Sequence, residues 1–371
     1  MTRFVKVGTG GGETTWHRAM LDLRPGDVLL LEPGFYALPQ GKMLADVTIK
    51  GLGASPEDTR ITSFFQVDDA SSRIVFENLC LIPYKDSNTL DLPEGVDSFV
   101  IFRNCVLRGT GNKTTTLAIS GKATVELIAT KILNGTVSFF KTADFRLEMA
   151  DSVIDYVSEE FGTLSLEGHG TAIINNSKIT GTLNTFDYCN VELDIHNSFV
   201  GNLNMGGKTW LNMYKGQTGQ DNSYSLYARG DCWLNIMDSV FPTSFCLADR
   251  ARVLLHGSDV YSLQLKDDSQ ITVTNTLVRA SANFEDRAKG DANRVTFYGN
   301  GDYQYFFYMI GKSRFKGRNL TFKPNGAPML VGDEAKLAAN ALYSNEQPLE
   351  VECANKNNVS ILGIKWTLIK K

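Results

Sequence analysis

The chain has 371 residues, 37 basic against 41 acidic for a formal charge of −4, with 43% apolar and 21% charged residues. That composition excludes wholesale disorder, because the apolar share can fill a large core. It also argues against a nucleic-acid partner, which needs clustered Lys and Arg, and against a membrane span, since no apolar run nears roughly 18 residues.

In chain order, Met1 to Val7 has no apolar h-region, so no secretory signal is read and a cytoplasmic location is expected. An extracellular or virion location would require a leader already removed. Residues Thr14 to Leu23 read as a short amphipathic helix. Thr14 or Thr15 is its N-cap, and Trp16, Ala19, Met20 and Leu23 share one face. His17 falls on its surface rather than in a ligand set. Pro25-Gly26-Asp27 ends the helix, Val28 to Leu31 is an apolar strand, Pro33-Gly34 turns the chain, and Ala45 to Gly53 is another strand and turn.

Short apolar–polar alternations then recur, each closing on a residue suited to a sharp turn. These corners are Asn78, Asn104, Ala129, Asp151, Asn176, Asn197, Lys215, Asp238, Gly257, Asn275 and Gly299. Their mean spacing is about 22 residues, and the positions two and four before every corner are apolar. Such a repeat is too short for a strand and a crossover helix each time. It fits a coil of two or three short strands, stacked into a parallel β-solenoid with one continuous core. The expected organisation is one domain over residues 1–371: cap and first coils at 1–53, regular coils at 54–300, and irregular coils with a cap at 301–371. In the last part, Asp333 to Leu342 reads as a helix or an irregular coil, and Val359 to Leu368 as a final strand. Cys80, Cys105, Cys189, Cys232, Cys246 and Cys353 form no CxxC and no zinc spacing, so buried free thiols are expected.

The segments Val7-Gly-Thr-Gly-Gly-Gly-Glu-Thr-Thr-Trp16, Arg24-Pro-Gly-Asp-Val-Leu-Leu-Leu-Glu-Pro-Gly-Phe-Tyr36 and Val47-Thr-Ile-Lys-Gly-Leu-Gly53 resemble the opening of the pectin-lyase-like superfamily. The resemblance implies an all-β fold: a right-handed parallel β-helix, a single-stranded solenoid of about 22 residues per coil, with an N-terminal capping helix. It implies no particular activity, because that superfamily includes lyases, hydrolases, esterases, phage tailspikes and non-catalytic surface proteins. Gly168-His169-Gly170 matches one polygalacturonase-like tripeptide, but its companions are missing. Asp68-Asp69 lies upstream, Asp267-Asp268 downstream, and residues 177 to 180 read Ser-Lys-Ile-Thr. No Arg-x-Pro-x-x-Arg and no Gln-Asp-Thr occurs.

If offsets two and four before a corner point inward, offsets one, three and five point outward and stack into columns. The centre of that face gathers Glu192, Asp194, His196, Trp210, Asn212, Tyr214, Trp233, Asn235, Arg252 and His256. Stacked tryptophans beside amides and carboxylates are what a sugar ring needs, a flat apolar surface for its C–H face and polar groups for its hydroxyls. The alternative is a satellite cluster covered by a loop. Glu192 and Asp194, two residues apart on one strand face, have Cα atoms roughly 6.5–7 Å apart. Carboxyl groups at about 6.5–9.5 Å suit an inverting glycosidase, with His196 and Arg252 as tuning groups. A lyase-like reaction would instead call for Ca²⁺ on Glu148, Glu192 and Asp194, with Arg252 or Lys215 acting on the proton. Otherwise these are alternating charges on a solvated strand, and no cofactor is expected.

Three readings follow. The chain binds a polysaccharide, an oligosaccharide or another extended partner without catalysis or with weak catalysis. Alternatively, it is a polysaccharide lyase or inverting glycoside hydrolase using Glu192, Asp194 and His196. As a phage or surface fibre component it would form a trimer. No nucleic acid or membrane partner is expected in any of them.

Overall fold

The alternating stretches become short strands, and every pairing with a defined register is parallel, for example Lys122–Ile128 on Asp144–Ala150. A computed structural model describes residues 2–8, 13–37, 42–44, 46–67, 72–158, 162–219, 223–300, 303–343 and 348–369. Thr9 to Gly12 of the opening motif, Ala45 and the Asp68-Asp69 pair lie outside the described residues. Two compact units divide the chain and are described separately: Met1–Asp194 with Ser198–Val200, and Ile195–Asn197 with Gly201–Lys371.

One coil of the first unit shows the plan. Lys122–Ile128 pairs with Asp97–Arg103 and Asp144–Ala150 in a first ladder. Lys131–Leu133 pairs with Val106–Arg108 and Val153–Asp155 in a second. Val137–Phe139 pairs with Leu117–Ile119 and Leu164–Leu166 in a third. The fold is therefore an all-β parallel β-solenoid. In the second unit the coils tighten. The second and third strands merge into runs such as Asp259–Leu265, where a register shift between Val260 and Ser262 replaces a loop.

The first ladder ends at a corner held in the left-handed region, with φ between 47° and 60° at ten of the eleven expected positions, from Asn78 to Asn275. The eleventh differs. Arg294, at φ 55°, turns that coil, and Gly299 follows Thr296–Tyr298, a strand of the second ladder. The true first-ladder strand, Lys289–Asn293, points Gly290 and Ala292 inward. A Cβ on Gly290 would lie 2.6 Å from both the Phe284 and Phe315 rings, so the bulk at this level comes from other strands. The phenylalanine cluster of Phe284, Phe297, Phe307, Phe315 and Phe322 fills the core there.

The residue after each corner carries a second repeat. In the first unit, Thr130, Ser152, Ser177 and Ser198 are buried and hydrogen-bond from coil to coil. Thr130, Ser152 and Ser177 N–H donate to the next hydroxyl at 3.0, 3.1 and 3.0 Å. In the second unit, Gly216 and Ser239 N–H donate to Ser239 and Ser258 Oγ at 3.1 Å each. The tight corner uses up the ladder geometry, and these hydroxyls take the N–H groups it leaves behind.

The expected helix near the N-terminus is Trp16–Leu21, shorter than read, with Thr15 Oγ1 accepting from Arg18 N–H. Trp16, Ala19 and Met20 are buried, but Leu23 lies beyond its end. Residues 333–342 are not a helix. Asp333 turns the chain, and Lys336–Tyr343 is a strand on Arg314–Lys323. Its Lys-Leu-Ala-Ala-Asn-Ala-Leu run favours a helix locally, but the buried Leu337, Ala339 and Ala341 alternate as the solenoid requires. The expected last strand is two, Val359–Leu362 and Trp366–Ile369. None of the six cysteines forms a disulfide, and Cys80, Cys105, Cys189 and Cys232 are buried. Burial pushes the Cys105 thiol up to about 12. No helix among the described residues is long and apolar enough to cross a membrane.

Candidate functional site

The outer side of the first ladder carries the predicted residues, and the register decides which meet. In the second unit, Trp210 lies opposite Trp233 and Trp233 opposite Arg252. Asn212 is opposite Asn235, followed by Leu254, and Tyr214 is opposite Met237, followed by His256. The two indoles stack with ring centroids 6.2 Å apart and planes inclined by 26°. Trp210 is 54% exposed and Trp233 36%, so among the described residues no loop covers them. The satellite-cluster alternative does not hold.

Polar groups flank the indoles on one side. Asn235 Nδ2 lies 3.5 Å from Asn212 Oδ1, a long contact between stacked amides. Tyr214 lies 6.4 Å from the His196 ring and beneath Lys215, whose Nζ is 5.0 Å from the ring centroid. His256 Nδ1 is 2.7 Å from Thr274 Oγ1. Met237 and Leu254 are also exposed and extend the apolar surface beside the tryptophans. Neither was among the residues expected at the site. Their outward offsets were the available signal.

Glu192 and Asp194 belong to the first unit, on the strand Asn190–His196. The alternation of that strand turns both outward, Glu192 exposed and Asp194 half-buried. Glu148, the third carboxylate of the expected Ca²⁺ set, does not stand free. Arg146 Nε donates to its Oε1 at 2.6 Å along the same strand. Ile173 occupies its offset on the next coil, so an apolar side chain follows it towards the strand that carries Asp194. Among the described residues, no group of three or more His, Cys, Asp or Glu is placed to hold a metal ion.

Two other expectations change. Val75 and Ile101 hold outward offsets yet are buried, beside the Arg73 guanidinium that lies over the Phe99 ring. The Gly168-His169-Gly170 tripeptide has a packing explanation. A Cβ at Gly168 would lie 2.2 Å from the Ala143 carbonyl oxygen, and one at Gly170 2.0 Å from that of Phe145. His169 itself is exposed at the start of a strand.

No known protein family and no curated protein matches the chain. Solved structures resemble it weakly. The Agl-KA catalytic domain is 12% identical at a TM-score of 0.32, over 95% of this chain and 64% of that one. The mannuronan C-5 epimerase AlgE6 A-module of Azotobacter vinelandii is 13% identical at 0.26, over 93% and 91%. The alginate lyase AlyGC is 8% identical at 0.21, over the full length of both. At such scores the likenesses carry no functional argument, and the solenoid is read from the strand pairing itself.

Proposed function

We propose that this chain is a β-solenoid that binds a carbohydrate along the outer side of its first ladder, without catalysis or with weak catalysis. The stacked, exposed Trp210–Trp233 pair carries the reading. Large exposed apolar surface mixed with directed polar groups marks a binding site more than a solvated face. The C–H side of a pyranose lies flat on the indoles, and the amides of Asn212 and Asn235 meet its hydroxyls. Adjacent coils repeat the arrangement, which suits a chain-like ligand over a compact one.

The test is a titration against neutral and acidic glycan chains with Trp210→Ala, Trp233→Ala and the double variant. The double variant should lose at least about tenfold in affinity, as removal of aromatic anchors does at other sites. Unchanged affinity would refute the reading. The outward pair Glu192 and Asp194 supports a second reading, a lyase or an inverting hydrolase. It predicts product formation that Glu192→Gln with Asp194→Asn abolishes while binding persists.

A further inference from the structure

Beyond the tryptophans, the outer side of the first ladder in the second unit becomes cationic. The corrected corner at Arg294 places Lys289, Asp291 and Asn293 outward on one strand. The next strand presents Arg314, Lys316 and Arg318, and the one after it Lys336, Ala338 and Asn340. Those nine outward positions hold five cations and one carboxylate. Lys289, Arg314 and Lys336 stand in direct register, in the column that begins with Trp210 and Trp233. All five cations are exposed.

Elsewhere in this unit three arginines are neutralised by carboxylates on neighbouring coils. Arg250 pairs with Asp231, Arg287 with Asp268 and Arg279 with Asp259. Those pairs lie in the turn entering the first ladder or on the second ladder. Among the described residues, none of the five cations of the strip forms an ion pair. Lys316 has Asp291 opposite it, but Lys289, Arg314 and Lys336 face one another as like charges, which is unfavourable across a ladder, so that column is electrostatically incomplete by itself. It borders a shallow groove of about 380 Å³ whose lining includes Asp291, Lys316, Arg318, Asn340 and Ser360. Ala338 also lines it, and Lys316 and Arg318 are exposed residues of its lining.

We propose that this strip selects the charge of the ligand: the glycan is polyanionic, with carboxylate or sulfate groups that meet Lys289, Arg314, Lys316, Arg318 and Lys336. The inference rests on the carbohydrate reading and names its substrate class. Arginine forks grip carboxylate or sulfate oxygens in pairs, and lysines supply point charges along the column. Coils about 4.8 Å apart present a cation at each step, so a linear chain with regularly repeated charges matches the strip. Asn340 and Ser360 offer neutral hydrogen bonds to hydroxyls between those charges. A single-stranded nucleic acid would also meet the charges and stack its bases on the indoles, but the chain as a whole carries a net charge of −4, which disfavours a long polyphosphate beyond the strip.

The experiment measures binding of the full chain to labelled alginate, dextran sulfate, neutral dextran and single-stranded DNA at low and moderate salt. Wild type should prefer alginate or dextran sulfate to dextran at least about tenfold at low salt, and that preference should shrink as salt screens the charges. Lys289→Glu with Arg314→Glu and Lys316→Glu should abolish the preference, with an unchanged far-UV circular dichroism spectrum. Alginate against dextran sulfate separates carboxylate from sulfate recognition. Equal affinity for charged and neutral glycans, or a triple variant that binds as wild type does, overturns the inference and leaves the carbohydrate reading standing. Preference for DNA over both anionic glycans also overturns it. Anionic glycan binding that ignores the tryptophan variants but is lost in the triple variant supports the strip and counts against the tryptophan site.

Discussion

Ser152→Ala tests the hydroxyl ladder that closes the corners. Ser152 is 1% exposed, and its Oγ accepts the Thr130 N–H at 3.0 Å. The hydroxyl faces the carbonyl oxygens of Ala150 and Leu127 at 2.8 and 2.9 Å, and its one proton is shared between them. Alanine removes that oxygen. The Ala150 carbonyl keeps its bond from Ala129 N–H at 2.9 Å, so it stays satisfied. The Thr130 N–H, on a residue equally buried, loses its acceptor. An unpaired buried donor costs about 1–3 kcal/mol, and the missing oxygen leaves almost no void, so a loss near ~2 kcal/mol is expected. For a unit of this size that corresponds to a melting temperature lower by about 4–8 °C. Thermal and guanidinium unfolding should show the loss, and hydrogen exchange at the Thr130 amide should accelerate. Ser152→Thr restores the oxygen, as Thr130 and Thr276 do at the same offset, and should remain within about 0.5 kcal/mol of wild type. An alanine variant as stable as wild type, or a threonine variant as damaged as alanine, would refute the reasoning.

Two further outcomes follow from the packing and the charges. Gly168→Ala should destabilise the protein strongly, because its Cβ would press on the Ala143 carbonyl, whereas His169→Ala on the exposed side should change stability by less than about 0.5 kcal/mol. The reverse order in thermal melts would restore a functional claim for the Gly-His-Gly tripeptide. Asp27 is 3% exposed and held by Arg3, whose Nε donates to Oδ1 at 2.9 Å, and by Arg24 N–H at 2.8 Å. The Arg3 guanidinium holds the Asp27 carboxyl below the usual carboxylate range. Its stabilisation is therefore present above the unfolded pKa of about 4 and fades as pH falls through the lower folded value. The stability difference between wild type and Arg3→Met, measured by denaturant unfolding, should be full at pH 7 and shrink progressively as pH falls below about 4. A difference that stays constant would assign the Arg3 effect to packing alone.

Much of the fold was legible because a strand buried on one side repeats every second residue. Offsets two and four before each corner identified the inward residues, and Asn or Asp marked turns that need a left-handed backbone. The Trp210–Trp233 stack was readable for the same reason, since equal offsets on successive coils become neighbours. The register failed where the inward residues were Gly290 and Ala292, because their small size is set by phenylalanines from other strands. That slip carried the eleventh corner to Gly299 and hid the cationic strip beyond it. The Ser or Thr that follows seven of the eleven expected corners is a repeat present in the sequence, but its role exists only once another coil donates to it, so the pattern alone did not disclose a hydrogen-bonded ladder.

The amino-acid pattern by itself determined that this chain forms parallel coils, where most of them turn, and which side of each strand meets the core. The tertiary structure decided which residues some twenty positions apart share a column. Stacking thereby made a tryptophan pair, a hydroxyl ladder and an unpaired strip of cations out of side chains that are distant in sequence. The physical reason is that alternation is a property of one strand, whereas a column depends on the spacing between coils, and that spacing varies with the loops and bulges between them.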